Sequence, residues 1–224
     1  MTRGFEGGGE GTSDGELVRL VYLRDAATMS QIDVRLRDRV LPALCGAPGV
    51  QDVYIGRRGP DQNGERIVAS IWGSKQLVVE HMNDGSNEAD RLELGDDLTA
   101  RVEELPIAIA LRFPSELPAL VLRVFRGEVK EGQVDDYLQA ARTGAEADAS
   151  NGEGPLGLFL GFAGARRFVT VSVWPDWSTI QKRTGGNARQ PIATRHAQML
   201  ETGTATHYEI LPTAAPRARP QPNP

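Results

Sequence analysis

The sequence predicts an α+β fold in which one strand–helix–strand–strand–helix–strand unit occurs twice, with the two sheets packed face to face. Two observations carry this. The run Arg66-Ile67-Val68-Ala69-Ser70-Ile71-Trp72 has a counterpart in Phe168-Val169-Thr170-Val171-Ser172-Val173-Trp174. Each alternates an apolar row (Ile67, Ala69, Ile71; Val169, Val171, Val173) with a row of small residues ending in tryptophan, which is the period-two pattern of a strand. The other observation is that the first strand of each unit is apolar on both faces. Val18, Leu20 and Tyr22 alternate with Leu17, Val21 and Leu23, and Leu120, Leu122 and Val124 with Val121 and Phe125. Helices can cover one side of such a strand, and an uncovered apolar sheet face is an association surface. A second sheet from the same chain covers the other side, so the expectation is an internal two-sheet barrel with helices outside.

Taken in order, Leu17 to Leu23 is a strand. Ser30 is placed to cap a helix whose apolar face is Ile32, Leu36, Val40, Leu41 and Leu44, and Gly46 with Pro48-Gly49 stops it. Val50 to Gly56 is the second strand, and Gly-Pro and Asn-Gly within 57–65 make a hairpin loop before the third. Ser74 can cap a helix carrying Leu77, Val78 and Met82. A polar stretch, then a segment through Leu92 and Leu94, leads to a fourth strand near Leu98 to Leu105. This order is that of the ferredoxin-like fold.

The second unit repeats it. Leu120 to Phe125 is a strand, and Val134, Tyr137, Leu138 and Ala141 give a helical face. Leu156 to Gly161 and Phe168 to Trp174 are the next strands. Trp177 and Ile180 begin a helix that Gly185-Gly186 interrupts. Pro191 suits the first turn of a further helix presenting Ile192, His196, Met199 and Leu200, and Thr204 to Leu211 is the last strand. Tyr22 precedes Trp72 by 50 residues and Phe125 precedes Trp174 by 49, so the two aromatics are expected at matching places, as are Tyr54 and Phe159. Val102-Glu103-Glu104-Leu105-Pro106 is read as parallel to Tyr208-Glu209-Ile210-Leu211-Pro212. The expected organisation is a disordered tail over 1–15, one repeat over 16–110, a linker over 111–116, the second repeat over 117–213 and a proline-rich tail over 214–224.

The strand ending in Ser-x-Trp, the helix after it and a last strand containing Tyr-Glu resemble the dimeric α/β-barrel superfamily, and within it the antibiotic-biosynthesis-monooxygenase-like (ABM) domains, here in tandem duplicate. The residues carrying the likeness are Ser70-Ile71-Trp72, Ser172-Val173-Trp174-Pro175-Asp176-Trp177, Thr184-Gly185-Gly186, Arg195-His196 and His207-Tyr208-Glu209-Ile210-Leu211. The resemblance implies cofactor-independent monooxygenases acting on aromatic polyketides and quinones, or haem-degrading enzymes. Haem-degrading members carry an Asn on the first strand. Neither Leu17–Arg24 nor Leu120–Arg126 holds one, so the expected cofactor is none, with haem disfavoured.

Composition excludes other classes. A net charge of −5 over 224 residues, with mixed signs, lacks the basic footprint of a nucleic-acid binder. Apolar runs fall well short of the ~20 residues that span a bilayer. A single cysteine, Cys45, allows no disulfide framework and suits the cytoplasm; beyond Leu44 it reads as a buried, inert thiol. No G-x-S-x-G, H-E-x-x-H, Walker or C-x-x-C motif is present, and no metal site is expected.

The candidate chemistry therefore rests on single residues. Trp72 and Trp174 either pack the core or wall a pocket between sheet and helices, and Trp177 could close the same cavity. His196, on an apolar stripe, is the candidate acid–base residue; its alternative is a satisfied core histidine. Arg123, between Val121 and Phe125 on one strand face, needs a partner if buried: an acidic ligand, or Glu209 across the barrel, which is preferred. Phe125, Phe159 and Tyr22 supply aromatic lining. The expected function is an ABM-like monooxygenase of a small, mostly apolar aromatic molecule, catalysed by His196. The alternatives are a non-catalytic binding or assembly protein with the same fold and a haem-binding protein using His196 or His81. Self-association of the chain into a homo-oligomer stays open.

Overall fold

Strand registers in the computed structural model, which describes residues 15–24, 29–58, 64–82, 99–184 and 196–212, tie both halves of the chain into one barrel. The strands are β1 (Leu17–Arg24), β2 (Val50–Arg58), β3 (Arg66–Trp72), β4 (Thr99–Arg112), β5 (Val121–Val129), β6 (Gly157–Ala163), β7 (Arg167–Trp174) and β8 (Leu200–Ile210). They close in the order β1-β3-β2-β8-β5-β7-β6-β4, every pairing antiparallel. Each half is the four-stranded ferredoxin-like sheet expected from the element order. The seams between halves are β2–β8 and β4–β6, so closure leaves no sheet edge open.

Alternation places the core. Val18, Leu20, Tyr22, Ile67, Ala69 and Ile71 from the first half meet Leu122, Val124, Phe159, Val169, Val171 and Val173 from the second inside the barrel. The opposite rows face the helices. In the first half, Leu17, Val21, Leu23, Val68 and Trp72 pack against Ile32, Leu36, Val40 and Leu44. Those four lie on α1 (Met29–Arg35), a π-helical turn (Leu36–Val40) and α2 (Leu41–Gly46). Pro42 in the first turn of α2 has no N–H to give, and the Leu41 N–H reaches back to the Leu36 carbonyl instead. The second half carries α4 (Val134–Ser150) and α5 (Trp177–Thr184), and α3 (Lys75–Met82) follows β3. Ser74 caps α3 through the Leu77 N–H at 3.3 Å, as expected. Asp176 caps α5, accepting from the Thr179 N–H at 2.7 Å.

The structure corrects several expectations. Leu17 stands opposite Trp72 and Val121 opposite Trp174, so the repeat equivalent of Phe125 is Val21, and that of Tyr22 is Arg126. The spacings of 50 and 49 residues differ by one, and a one-residue slip moves a side chain to the other face of the sheet. Tyr22 is therefore inside the barrel and Phe125 on the helix side. Tyr54 and Phe159 do correspond, opposite Ala69 and Val171. The last strands also align differently: Arg19 faces Glu104 and Arg123 faces His207, so Leu105 answers to Tyr208.

The expected helix through Met199 and Leu200 is a 3₁₀ turn, Ala197–Met199, running directly into β8. Threonines 202, 204 and 206 favour strand, and Gly203 lets β8 approach Phe125, where a Cβ would come within 2.8 Å of the ring. α1 begins at Met29, so Ser30 lies in its first turn rather than before it. Cys45 is half-buried rather than buried. The tails, Leu92, Leu94, Gly185-Gly186, Pro191 and Ile192 fall outside the described residues. Among the described residues no helix is long and apolar enough to cross a membrane.

Candidate functional site

The two tryptophans that end β3 and β7 are held in the same way. Trp72 Nε1 donates to Ser70 Oγ at 2.8 Å, and Trp174 Nε1 donates to Ser172 Oγ at 2.9 Å. Two residues apart on one strand face, the serine satisfies the indole N–H that burial would otherwise orphan. The Ser-x-Trp pair is thus a packing device common to both halves. Function has to be sought where the halves differ.

They differ in the layer between sheet and helix. In the second half a cavity of about 240 Å³ lies there. Its floor is Arg123 and Phe125 of β5, Leu158 and Leu160 of β6, and Thr170, Ser172 and Trp174 of β7. Its roof is α4, through Tyr137, Ala141, Gly144, Ala145 and Asp148, and its rim holds Pro155, Lys182, Arg183 and His196. The side chains on α4 are small where they face the floor, which is why the layer does not close. On the corresponding face of the first half, Ile32, Leu36, Val40 and Leu44 fill the layer.

The predicted residues fall in four places. Trp174, Phe125, Arg123 and His196 meet at the cavity. Tyr22 and Phe159 lie on the other side of the sheet, in the barrel interior, where they pack as core. Trp72 belongs to the first half's outer layer, its ring 5.3 Å from that of the exposed His81. Trp177 does not line the cavity; it packs with Val121, Trp174 and Ile180, and its ring stands 5.5 Å from that of His207. His196 reaches the rim from a turn, edge-on to Tyr137 at 6.5 Å. Tyr137 and Thr170 belong to the site without being among the candidates that the sequence marks. Burial raises the Tyr137 phenol pKa, partly offset by a hydrogen bond with Thr170 and by the charge of Arg123. The apolar stripe of α4 and the polar row of β7 were the signals that could have found Tyr137 and Thr170.

The electrostatics set Arg123 apart. It is 5% exposed, and its guanidinium lies 4.8 Å from the Phe125 ring centroid. Nε and Nη2 are shut off from solvent and have no hydrogen-bond partner among the described residues. The expected pair with Glu209 does not form: Glu209 lies beside the β2–β8 seam and binds Arg57 at 3.0 Å. Burial pulls the Arg123 pKa down to about 10. Its cross-strand neighbour His207 is pushed down to about 4, by burial first and then by the charge of Arg123. His207 Nε2 is also buried without a partner. By contrast Asp148, the one acidic side chain of the lining, is ion-paired with Arg183.

A second hollow of about 350 Å³ opens between Glu103, Arg126, Arg167 and Thr204. There Arg126 donates to Glu103 at 2.9 Å and to Tyr22 Oη, so its charges are matched internally. Among the described residues no group of His, Cys, Asp or Glu side chains could hold a metal ion.

This architecture is the dimeric α/β barrel, built by one chain from two ferredoxin-like halves. The chain is similar to a candidate monooxygenase of Fusobacterium nucleatum, with a TM-score of 0.66 and 13% identity over 89% of this chain and 94% of that one. It is similar to an anthrone oxidase-like protein, with a TM-score of 0.57 and 13% identity over 91% and 98%. It also resembles a chlorite dismutase of Candidatus Nitrospira defluvii, with a TM-score of 0.59 and 8% identity over 90% and 93%. At such identities the likeness is one of fold. No family model matches the sequence, and no curated protein matches it.

Proposed function

We propose that this protein is an ABM-like oxidoreductase that binds a small, mostly apolar aromatic molecule in the second-half cavity and oxidises it with dioxygen, without an organic cofactor. The observation that carries this reading is the cavity: about 240 Å³, floored by Phe125, Leu158 and Trp174, with a titratable His196 at its rim. An apolar pocket with a few convergent polar groups is the usual form of a small-molecule site. The naming of fold neighbours as a monooxygenase and as an anthrone oxidase-like protein supports the reaction class.

The chemistry asks little of the protein. A substrate with an activated CH₂ beside a phenol or carbonyl loses a proton to the His196 imidazole, leaving a stabilised anion. The anion adds dioxygen to give a peroxide, the imidazolium returns its proton, and loss of water leaves a carbonyl. The balance is R₂CH₂ + O₂ → R₂C=O + H₂O. The protein binds, orients and deprotonates, which are roles for a positioned base in a water-poor pocket. Haem stays the disfavoured reading for the cavity lined by the described residues. Its volume falls below the roughly 300–1,000 Å³ of drug-sized ligand sites, and the buried Arg123 occupies its floor.

The test is oxygen uptake with small aryl ketones and phenols that carry an activated CH₂, in the presence of a metal chelator. Wild-type turnover should fall about 10²–10⁴-fold in kcat for His196→Gln, as expected for loss of a general base. Turnover unchanged by His196→Gln removes His196 from the chemistry. Absence of turnover on every such substrate would favour the non-catalytic binding reading.

A further inference from the structure

The two halves of the barrel contain the same buried arginine, and among the described residues only one of them has a counter-ion. Arg19 of β1 stands opposite Ser70 and Glu104; Arg123 of β5 stands opposite Ser172 and His207. Arg19 donates to Glu104 and forms an ion pair with it. At the matching position in the second half the carboxylate is replaced by His207, whose imidazole cannot balance a guanidinium. Among the described residues no carboxylate pairs with Arg123. Its Nε and Nη2 remain without acceptors although it is 5% exposed.

A buried, uncompensated guanidinium is costly, and side chains of this type are found paired. Among the described residues, this cavity lies in the half that lacks the carboxylate, and Arg123 forms part of its floor. The rim adds Lys182, while the one acidic lining residue, Asp148, is held by Arg183. The site therefore presents unmatched positive charge next to an aromatic and aliphatic wall of Phe125, Leu158 and Trp174.

We infer that Arg123 is the anchor for a carboxylate carried by the ligand, so that the second-half cavity, which Arg123 lines, binds a small aromatic or aliphatic monocarboxylic acid. A carboxylate matches the fork of a guanidinium in charge and geometry, and a cavity of about 240 Å³ suits a body of one ring rather than several. The inference rests on reading the cavity as a small-molecule site. It narrows the substrate from apolar aromatic to amphiphilic acid, with the apolar part against Trp174 and the charge at Arg123.

The full-length protein should be titrated calorimetrically with benzoate and, as neutral isosteres, with benzamide and benzyl alcohol. Benzoate should bind, and the neutral compounds at least about 10-fold more weakly. Arg123→Met should weaken benzoate by about 10- to 100-fold, the loss of a charge-assisted pair. It should also raise the melting temperature of the ligand-free protein, since an unmatched buried charge is removed. His207→Glu rebuilds the pair seen at Arg19 and Glu104, and should abolish benzoate binding in a folded protein. Equal binding of benzoate and benzamide overturns the inference. So does benzoate affinity unchanged in Arg123→Met or in His207→Glu. Because these are binding measurements, a failure of oxygen turnover leaves them intact. Conversely, wild-type turnover of a neutral keto-phenol with an activated CH₂ that Arg123→Met leaves unchanged would sink the carboxylate anchor but not the oxidase reading.

Discussion

At the scale of the residue, the protein separates what its two halves share from what they do not. Ser70 with Trp72 and Ser172 with Trp174 are the same hydrogen bond made twice. Glu104 and His207 hold the same position with opposite consequences. His207 is 8% exposed and is kept neutral by burial and by Arg123, with a pKa lowered from 6.5 to about 4. The unfolded chain takes up its proton first as pH falls. Stability is therefore complete above about pH 6.5, is lost on going down through that window, and levels off below about 4. A shift of this size corresponds to a loss of roughly 3 kcal/mol. Urea midpoints measured from pH 7 to pH 4 should fall steeply for the wild type and less so for His207→Gln. Equal slopes for the two proteins would mean that His207 is not buried neutral.

At the scale of the element, α4 decides whether the second half has a cavity. Its roof positions Ala141, Gly144 and Ala145 are too small to reach the floor. Gly144 lies within a helix of 17 residues and adopts no positive φ, so nothing in the backbone demands glycine. A Cβ there would meet only His196 Nε2, at an ordinary 3.7 Å. Gly144→Ala should stabilise the protein by about 0.5–1 kcal/mol through helix propensity, a rise of about 1–4 °C in Tm. Thermal melts by circular dichroism would show it. A fall in Tm would instead mean that the methyl displaces His196. Absence of a side chain here leaves space beside the rim histidine, which suits access for a ligand better than it suits helix stability.

At the scale of the whole molecule, the barrel interior belongs to neither half. Leu20 and Ile71 of the first half share one cluster with Leu122, Val171 and Phe159 of the second. The halves should therefore unfold together, since neither can bury its inner sheet face alone. Leu122 is fully buried in that cluster, so Leu122→Ala should cost about 2–5 kcal/mol. Calorimetry should show one transition moved to lower temperature. Two resolved transitions would indicate that the halves have separate cores. The seams between halves are also linked by side chains: Arg57 to Glu209 at 3.0 Å, and Tyr208 Oη to Glu65 at 2.6 Å.

Much of this was legible in the amino-acid order. Period-two alternation in Arg66–Trp72 and Phe168–Trp174 is a local property, and strands apolar on both faces require cover on both faces wherever they lie. Those two facts are enough for the repeat, the two sheets and the barrel. The second half could likewise be marked as the place to look, because the copies differ in sequence after the shared tryptophan and at His196. The pairing register was not legible, because loops and bulges absorb single-residue differences, such as the one that sends Tyr22 inward and Phe125 outward. The start of β8 was not legible either. Leu200 is a good helix former held in a strand by its neighbours. What only the tertiary structure decided is the state of Arg123. Its charge is plain in the sequence, but whether a charge is matched depends on which residue the next strand places opposite. Register set Glu104 beside Arg19 and His207 beside Arg123, and the cavity lies in the half without the carboxylate.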